Sequence, residues 1–400
     1  MRKFLTTAVA VALASATTYA DLQNVEIGGG IRTRGASQFF DSDANQNAEQ
    51  WVEQRTNIKF TADFTDEVSA VIEMDHYNFW GRDNRSGATP GGFTGDSQSV
   101  QLYQAYIELG EAWGSAVDLK IGRQEIILGS EFLVGNQNTA GEFYGLSFDG
   151  ITATYNADNY SVVGVAVKVV EADFGSGGND RDTDMYAIYG SYTGREDMTI
   201  DAYWIFVRSG VAGDGNELHT LGARVAGDYN MVDYELEVAF QTGDVSATAD
   251  YEGVAVNAEV GYSFDTNLQP RVFAGFTHLS GEDSGDQGFN RLFSDWEYTE
   301  HLANADLVNV DIIRVGASIQ ATEKIALAAV VTMFDTDDED DVTTTGTNLG
   351  VDDIGEELGL YAYYSYSEDV NMEFGLARIF LDEDLTGGDD QEQDYLYAEI

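Results

Sequence analysis

The 400-residue chain contains no cysteine, so disulfides, thiolate metal sites and thiol nucleophiles play no part in its chemistry. It has only two prolines, the residue that most disrupts a hydrogen-bonded ladder. Past the first twenty residues there is no run of about 18 apolar residues, so any crossing of a membrane is made by strands and not by helices. Basic residues are scarce as well: 20 Lys and Arg stand against 70 Asp and Glu, a formal charge of −50. A field of that sign repels a polyanion and excludes nucleic acid as a partner.

The chain opens MRKFLTTAVAVALASATTYA, with Arg2 and Lys3 before an apolar stretch from Phe4 to Ala14 and a small-residue site at Thr18-Tyr19-Ala20. This reads as a secretory leader over residues 1–20, too short to span, followed by a single domain over 21–400. In that domain, 43 glycines over the whole chain and an aromatic content of 12% suit many twisted strands joined by tight turns.

The decisive pattern has period two. In MVDYELEVAFQTG, Val232, Tyr234, Leu236, Val238 and Phe240 alternate with Asp233, Glu235, Glu237, Ala239 and Gln241. The same alternation returns in GVAVNAEVGYSF and EKIALAAVVTMF. A soluble strand packed on one side gives the same period, so length and repetition must decide. Eighteen such segments can be read, from 24–34 and 51–64 at the start to 369–380 and 394–400 at the end. Most are about 9 to 13 residues long, the length that crosses a bilayer at a tilt, whereas strands of soluble proteins average about 5 to 6. Brief connections such as Thr65-Asp66-Glu67 alternate with long polar ones such as 280–308 and 335–354. The expected fold is therefore all-β: one transmembrane antiparallel barrel of about 18 strands, with short periplasmic turns and long extracellular loops.

QRTNIKFTADFTDEVSAVIEMDHYNFWG (54–81), LKIGRQEIILGSEFLVGN (119–136) and SFDG (147–150) resemble the alginate-export porin family, as do residues 289–327 and 354–380. The resemblance spans most of the chain after the leader. It implies an 18-stranded monomeric barrel in the outer membrane of a Gram-negative cell, surrounded by lipid and passing polysaccharide or small hydrophilic solutes. It implies no catalysis. A general, cation-preferring diffusion porin is the alternative left open by the acidic composition.

Alternation also sorts charges, since Arg or Lys at the lipid-facing midplane costs roughly 2 to 4 kcal/mol. With apolar partners turned outward, Arg32, Arg34, Arg55, Lys59, Lys120, Lys168, Arg224 and Arg314 point to the lumen. So do Glu53, Glu73, Asp75, Glu108, Asp118, Asp233, Glu235, Glu237 and Glu259. Strict alternation sends Arg123 toward lipid, while a bulge at Gly122 would turn it inward, and the bulge is the preferred reading. The expected solute path is thus Arg32, Arg55, Lys59, Glu73, Asp75, Arg123, Glu125, Arg224 and Arg314, with Arg55, Arg123 and Arg314 as its cationic track.

Trp51, Tyr77, Phe79, Trp80, Tyr103, Tyr106, Trp204, Tyr364 and Tyr366 read by default as interfacial girdles, and inward Tyr361 and Tyr363 as surfaces on which a sugar ring could stack. Asp382, Asp384, Thr386 and Gly387 resemble the start of a calcium loop, though Gln393 stands where a bidentate Glu is needed; a solvated acidic rim is the plainer reading. No cofactor is otherwise implied. His76, His219, His278 and His301 lie in separate segments, which argues against a hydrolase, and the strand lengths argue against a secreted calcium-dependent sandwich. The closing segment DYLYAEI is short and ends on Ile400 where an aromatic is usual, so its pairing is expected to begin earlier, near Glu392, unless the C-terminus is incomplete.

Overall fold

In hydrocarbon no water reaches the N–H and C=O groups of a sheet edge, so a spanning sheet must close on itself. The computed structural model describes residues 23–42, 45–81, 100–138, 143–172, 182–210, 216–246, 249–282, 286–299, 307–339, 350–386 and 391–400, and the leader lies outside them. It closes one antiparallel sheet of 18 strands. These are β1 (Asn24–Ser42), β2 (Asn45–Thr65), β3 (Val68–Phe79), β4 (Gln101–Leu109), β5 (Val117–Gln124), β6 (Phe148–Asn156), β7 (Tyr160–Val170), β8 (Thr183–Arg195) and β9 (Met198–Ser209). They continue as β10 (Asn216–Tyr229), β11 (Val232–Ser246), β12 (Ala249–Ser263), β13 (Arg271–Leu279), β14 (Val310–Thr322), β15 (Ile325–Thr336), β16 (Asp353–Ser365), β17 (Asn371–Leu381) and β18 (Gln391–Glu399). Each strand pairs with its neighbours in sequence, and β1 closes the ring on β18 from Arg34 opposite Glu399 to Asp41 opposite Glu392.

The sequence reading and the structure differ at the ring's seam. β1 runs on to Ser42 and β2 begins at Asn45, so these strands reach 19 and 21 residues. β18 starts at Gln391, which pairs with Leu381, and nine residues therefore close the barrel where DYLYAEI alone offered seven. The outer connections are also not uniformly long. Only residues 43–44 separate β1 from β2, and only 247–248 separate β11 from β12. Both pairs overshoot the roughly 9 to 11 residues needed to cross the bilayer, so paired strands stand above it where a loop was expected.

The molecule is turned inside out relative to a soluble sheet. Ile27, Ile31, Ile188 and Leu221 are all more than half exposed on the outer face, while Arg55, Glu73, Asp201 and Glu357 are buried inside. That arrangement is stable where the exposed face meets lipid. The interior is not hollow. Residues 125–138 and 143–147, between β5 and β6, and residues 286–299, between β13 and β14, fold into it, packing Ile126, Leu133, Val134, Phe289 and Tyr298 on inward side chains of β7, β8, β9, β14 and β15.

Candidate functional site

The two inward loops are joined by backbone as well as side chains. Val134 is fully buried and pairs with Phe293; the Gly135 N–H donates to the Phe293 carbonyl at 2.8 Å, and the Phe293 N–H to that of Leu133 at 2.9 Å. Phe132 meets Trp296 edge-on at 5.8 Å and Phe148 meets Phe293 at 5.1 Å. At the same junction the Asp295 N–H donates to the Glu131 carbonyl at 3.0 Å. Burial, and next the neighbouring Asp295 carboxylate, push the Glu131 carboxyl above its ordinary range, with a backbone bond from Asn136 opposing them.

Arg55 ties this assembly to the wall. Its Nε donates to Asp75 at 3.1 Å and its Nη1 to Asn138 Oδ1 at 2.7 Å, while the guanidinium lies 4.5 Å from the Tyr103 ring centre. Arg32 and Arg34 both pair with Glu399 of the closing strand and lie over the Phe143 ring at 4.3 and 5.0 Å. Glu73 accepts from Asn57 at 2.7 Å and from Gln104 at 2.8 Å. Glu125 accepts from Tyr103 at 2.6 Å and from Asn136 at 3.2 Å.

On the facing wall, Arg224 forms a two-pronged pair with Glu235, both bonds 3.0 Å, and donates to Asp201 at 3.0 Å. Glu237, one turn of the pleat away, accepts from Tyr203 at 2.7 Å and from loop residue Ser130 at 2.8 Å, a second tie between loop and wall. Arg271 pairs with Asp233 and Glu259, and Arg314 shares Glu259 at 3.2 Å beneath the Trp296 ring. Lys59 faces inward in register with Glu73 and has no ion pair among the described residues.

The structure therefore brings Arg32, Arg55, Lys59, Glu73, Asp75, Glu125, Arg224 and Arg314 to the lumen, but mostly as charge-compensated pairs and not as an open cationic track. Arg271, which sequence reasoning did not single out, completes the Arg314 group; its position opening β13 opposite Ser263 was legible, its partners were not.

Two basic residues are misplaced by the sequence reading. Gly122 pairs with Tyr106 on one side and Gly150 on the other without any register slip, so Arg123 shares the outward face with Ile121 and forms a two-pronged pair with Asp149 at 2.9 and 2.6 Å. The irregularity lies one strand away: Glu73 pairs with Gln104 but Met74 with Leu102, leaving Tyr103 as the extra residue, and both Tyr103 and Gln104 are buried. Lys168 also points outward, opposite Asp149 and Asp184, because Val165 and Val167 take the inward positions of β7. The rule that keeps charge off the lipid face holds at the bilayer centre and lapses at strand ends, where both residues sit.

Among the aromatics, Trp51, Tyr77 and Tyr103 are interior residues and not girdle members: Trp51 stacks on Tyr395, and Tyr77 donates to Glu53 at 2.7 Å. Tyr106 faces inward under Lys120. Tyr361 packs on inward Ala377, Tyr395 and Tyr397. The suggested calcium loop begins at Asp382, whose carbonyl accepts from the Thr386 N–H and hydroxyl across a single helical turn, Glu383–Thr386. The Asp384 side chain and residues 387–390 lie outside the described residues. His76, His219 and His278 sit on outward faces, and His301 lies outside the described residues.

A closed antiparallel barrel with an apolar exterior, charged interior and inward loops defines an outer-membrane barrel of the porin class. More particularly, the family model for alginate export matches residues 23–398, and the chain belongs to that family. Similar solved structures include Pseudomonas aeruginosa OpdQ (TM-score 0.60, 12% identity, covering 95% of this chain and 98% of that one). Others are P. aeruginosa OccD3 (OpdP; 0.59, 13%, 95% and 93%) and Acinetobacter baumannii OccAB4 (0.58, 11%, 96% and 99%). At such identities the likeness establishes the fold. No sequence among the curated proteins matches the chain.

Proposed function

We propose that the barrel is a passive channel for hydrophilic solutes, with anionic sugars of the uronate type as its preferred cargo. The observation that carries this reading is the juxtaposition, around the inward loops, of guanidinium groups lying over aromatic rings: Arg32 and Arg34 over Phe143, Arg55 over Tyr103 and Arg314 over Trp296. Such a surface offers donors fixed in place for carboxylate and hydroxyl oxygens and apolar faces for sugar rings. Membership of the alginate export family supports the same choice.

The carboxylates paired with those cations favour a second reading, cation-preferring diffusion without polysaccharide selectivity. Reversal potentials in a KCl gradient across planar bilayers, with and without added uronate oligomers, separate the two. Uronate block that weakens on replacing Arg55 or Arg314 supports sugar-acid passage. Strong cation selectivity, insensitive to both substitutions and to the oligomers, overturns it.

A further inference from the structure

Where the two stems of the second inward segment leave the wall, three side chains of metal-ligating type converge. His278 stands next to the last residue of β13, Asp311 next to the first residue of β14, and Asp337 directly follows β15. His278 and Asp311 are register partners on the outward face. The His278 Nδ1 lies 2.8 Å from Asp311 Oδ1 and 3.6 Å from Asp337 Oδ1, and the three donor atoms all fall within 4.8 Å of one another.

Hydrogen bonding alone leaves this group unfinished. A ring nitrogen carries one proton at most, so Nδ1 can donate to Asp311 but not to Asp337 as well. Asp337 is nevertheless held facing the imidazole by groups outside the trio. Its other oxygen accepts from the Gly281 N–H at 3.0 Å. The chain beyond it is pinned by fully buried Asn309, whose Oδ1 accepts from the Asp338 N–H at 2.8 Å and whose Nδ2 donates to the Asp338 carbonyl at 2.9 Å. Charge is uncompensated too. Asp311 stands in register with Asp335, and Asp335 with Asp353; among the described residues none of these, nor Asp337, pairs with Lys or Arg. Carboxylates in that state do not settle in hydrocarbon, so this corner of the barrel meets water. The side chains of His278, Asp311 and Asp337 are 24%, 35% and 28% exposed, which leaves an ion a way in.

We propose that His278, Asp311 and Asp337 bind a divalent transition-metal ion of the Zn²⁺ type. Ligand bonds of about 2.0–2.2 Å set neighbouring donors about 3–3.5 Å apart, close to the separations from Nδ1 to the two carboxylates. An imidazole nitrogen beside two carboxylates suits Zn²⁺ and its neighbours in the first transition row, whereas Ca²⁺ takes about six to eight oxygens. On binding, the ring carries its proton on Nε2, Nδ1 gives its lone pair to the metal, and water fills the remaining positions. The ion then joins β13, β14 and the chain after β15 at the root of residues 286–299, and so fastens both stems of a segment that fills the lumen. This role is independent of the solute that the channel passes.

The test uses the intact barrel purified in detergent, stripped with EDTA and dialysed, with Zn²⁺ and Ca²⁺ titrated separately by calorimetry. One Zn²⁺ bound more tightly than Ca²⁺, with affinity reduced about tenfold or more in His278→Ala, Asp311→Asn and Asp337→Asn, is the expected result. His219→Ala, which removes another outward imidazole, should bind as the wild type does. Zn²⁺ should also raise the urea midpoint for loss of heat-modifiable mobility in the wild type and not in Asp337→Asn. Should His278→Ala fail to fold, Asp337→Asn decides alone, since Asp337 lies past the end of β15 and outside the ladder. Undiminished Zn²⁺ affinity in the folded variants, a matching loss in His219→Ala, or Ca²⁺ binding as tight as Zn²⁺ would each overturn the proposal.

Discussion

Replacing Arg55 by alanine separates two roles that one side chain performs. In the wall, the guanidinium neutralises buried Asp75 and lies on Tyr103; toward the lumen, it holds Asn138 of the inward loop at 2.7 Å. Stranding Asp75 as an uncompensated buried charge costs about 3–5 kcal/mol of barrel stability. Of the contacts Arg55 makes, the one to Asn138 tethers the loop. A hydrogen bond from a charged donor is worth about 1.5–3 kcal/mol, so its loss shifts the ratio of docked to released loop by roughly 10- to 100-fold.

The release should stay local to Asn138 and its neighbours, because Val134 remains paired with Phe293, Ser130 with Glu237, and Phe143 against Arg32 and Arg34. In planar bilayers Arg55→Ala should raise open-channel noise and conductance and shift the reversal potential toward stronger cation selectivity. Asn138→Ala should reproduce the noise with no shift in selectivity, since no charge is lost. Arg55→Lys should keep the selectivity but not the tether, because one ammonium replaces a fork aimed at two partners. If Arg55→Ala alters selectivity while noise and conductance match the wild type, the loop is not held by this contact.

Three further outcomes follow from the same geometry. The Glu131 carboxyl is pushed above its ordinary 4.5, so the proton-bound form favours the docked loops; their junction is tightest below that value and loosens as pH rises through the shifted pKa. Channel noise should therefore increase from acid toward neutral pH, and Glu131→Gln should flatten the profile; a steep profile retained in that variant would rule the pair out. Gly122→Ala introduces a Cβ 2.2 Å from the Ala105 carbonyl oxygen at φ +133°, so strain alone should cost on the order of 1–3 kcal/mol, seen as a lower urea midpoint for loss of heat-modifiable mobility. An unchanged midpoint would refute the close approach of β4 and β5 there. Arg224→Leu strands buried Asp201 and leaves the more exposed Glu235 without its two-pronged partner, and should lower stability by about 3–5 kcal/mol, with part of the loss recovered in the Arg224→Leu, Asp201→Leu pair; equal stability of both variants would show that no such coupling exists.

Period-two patterning and segment length carried the barrel, the strand number and the outward faces of Ile27, Ile31, Ile58 and Leu236, because a strand's two faces are fixed by parity alone. Parity likewise placed Arg55, Glu73, Asp75 and Arg224 in the lumen. It could not locate the extra residue. Tyr103 of β4 and Gly122 of β5 are both compatible with a slip, and the choice between them rests on which carbonyls and N–H groups meet across the ladder. The seam was hidden for a similar reason: whether residues 35–42 continue β1 depends on β18, which lies at the other end of the chain.

The sequence by itself determined that this chain is an exported, closed, membrane-spanning sheet with polar groups inside, since lipid tolerates no other placement of so many alternating residues. Only the tertiary structure decided what fills that interior. That Val134 meets Phe293 inside the ring, that Arg55 reaches Asn138, and that Arg123 and Lys168 stand outside in register with Asp149 and Asp184 all depend on residues far apart in sequence brought together by the pairing of the strands. Local alternation fixes the face on which each side chain stands, and the closure of the ring fixes its neighbours.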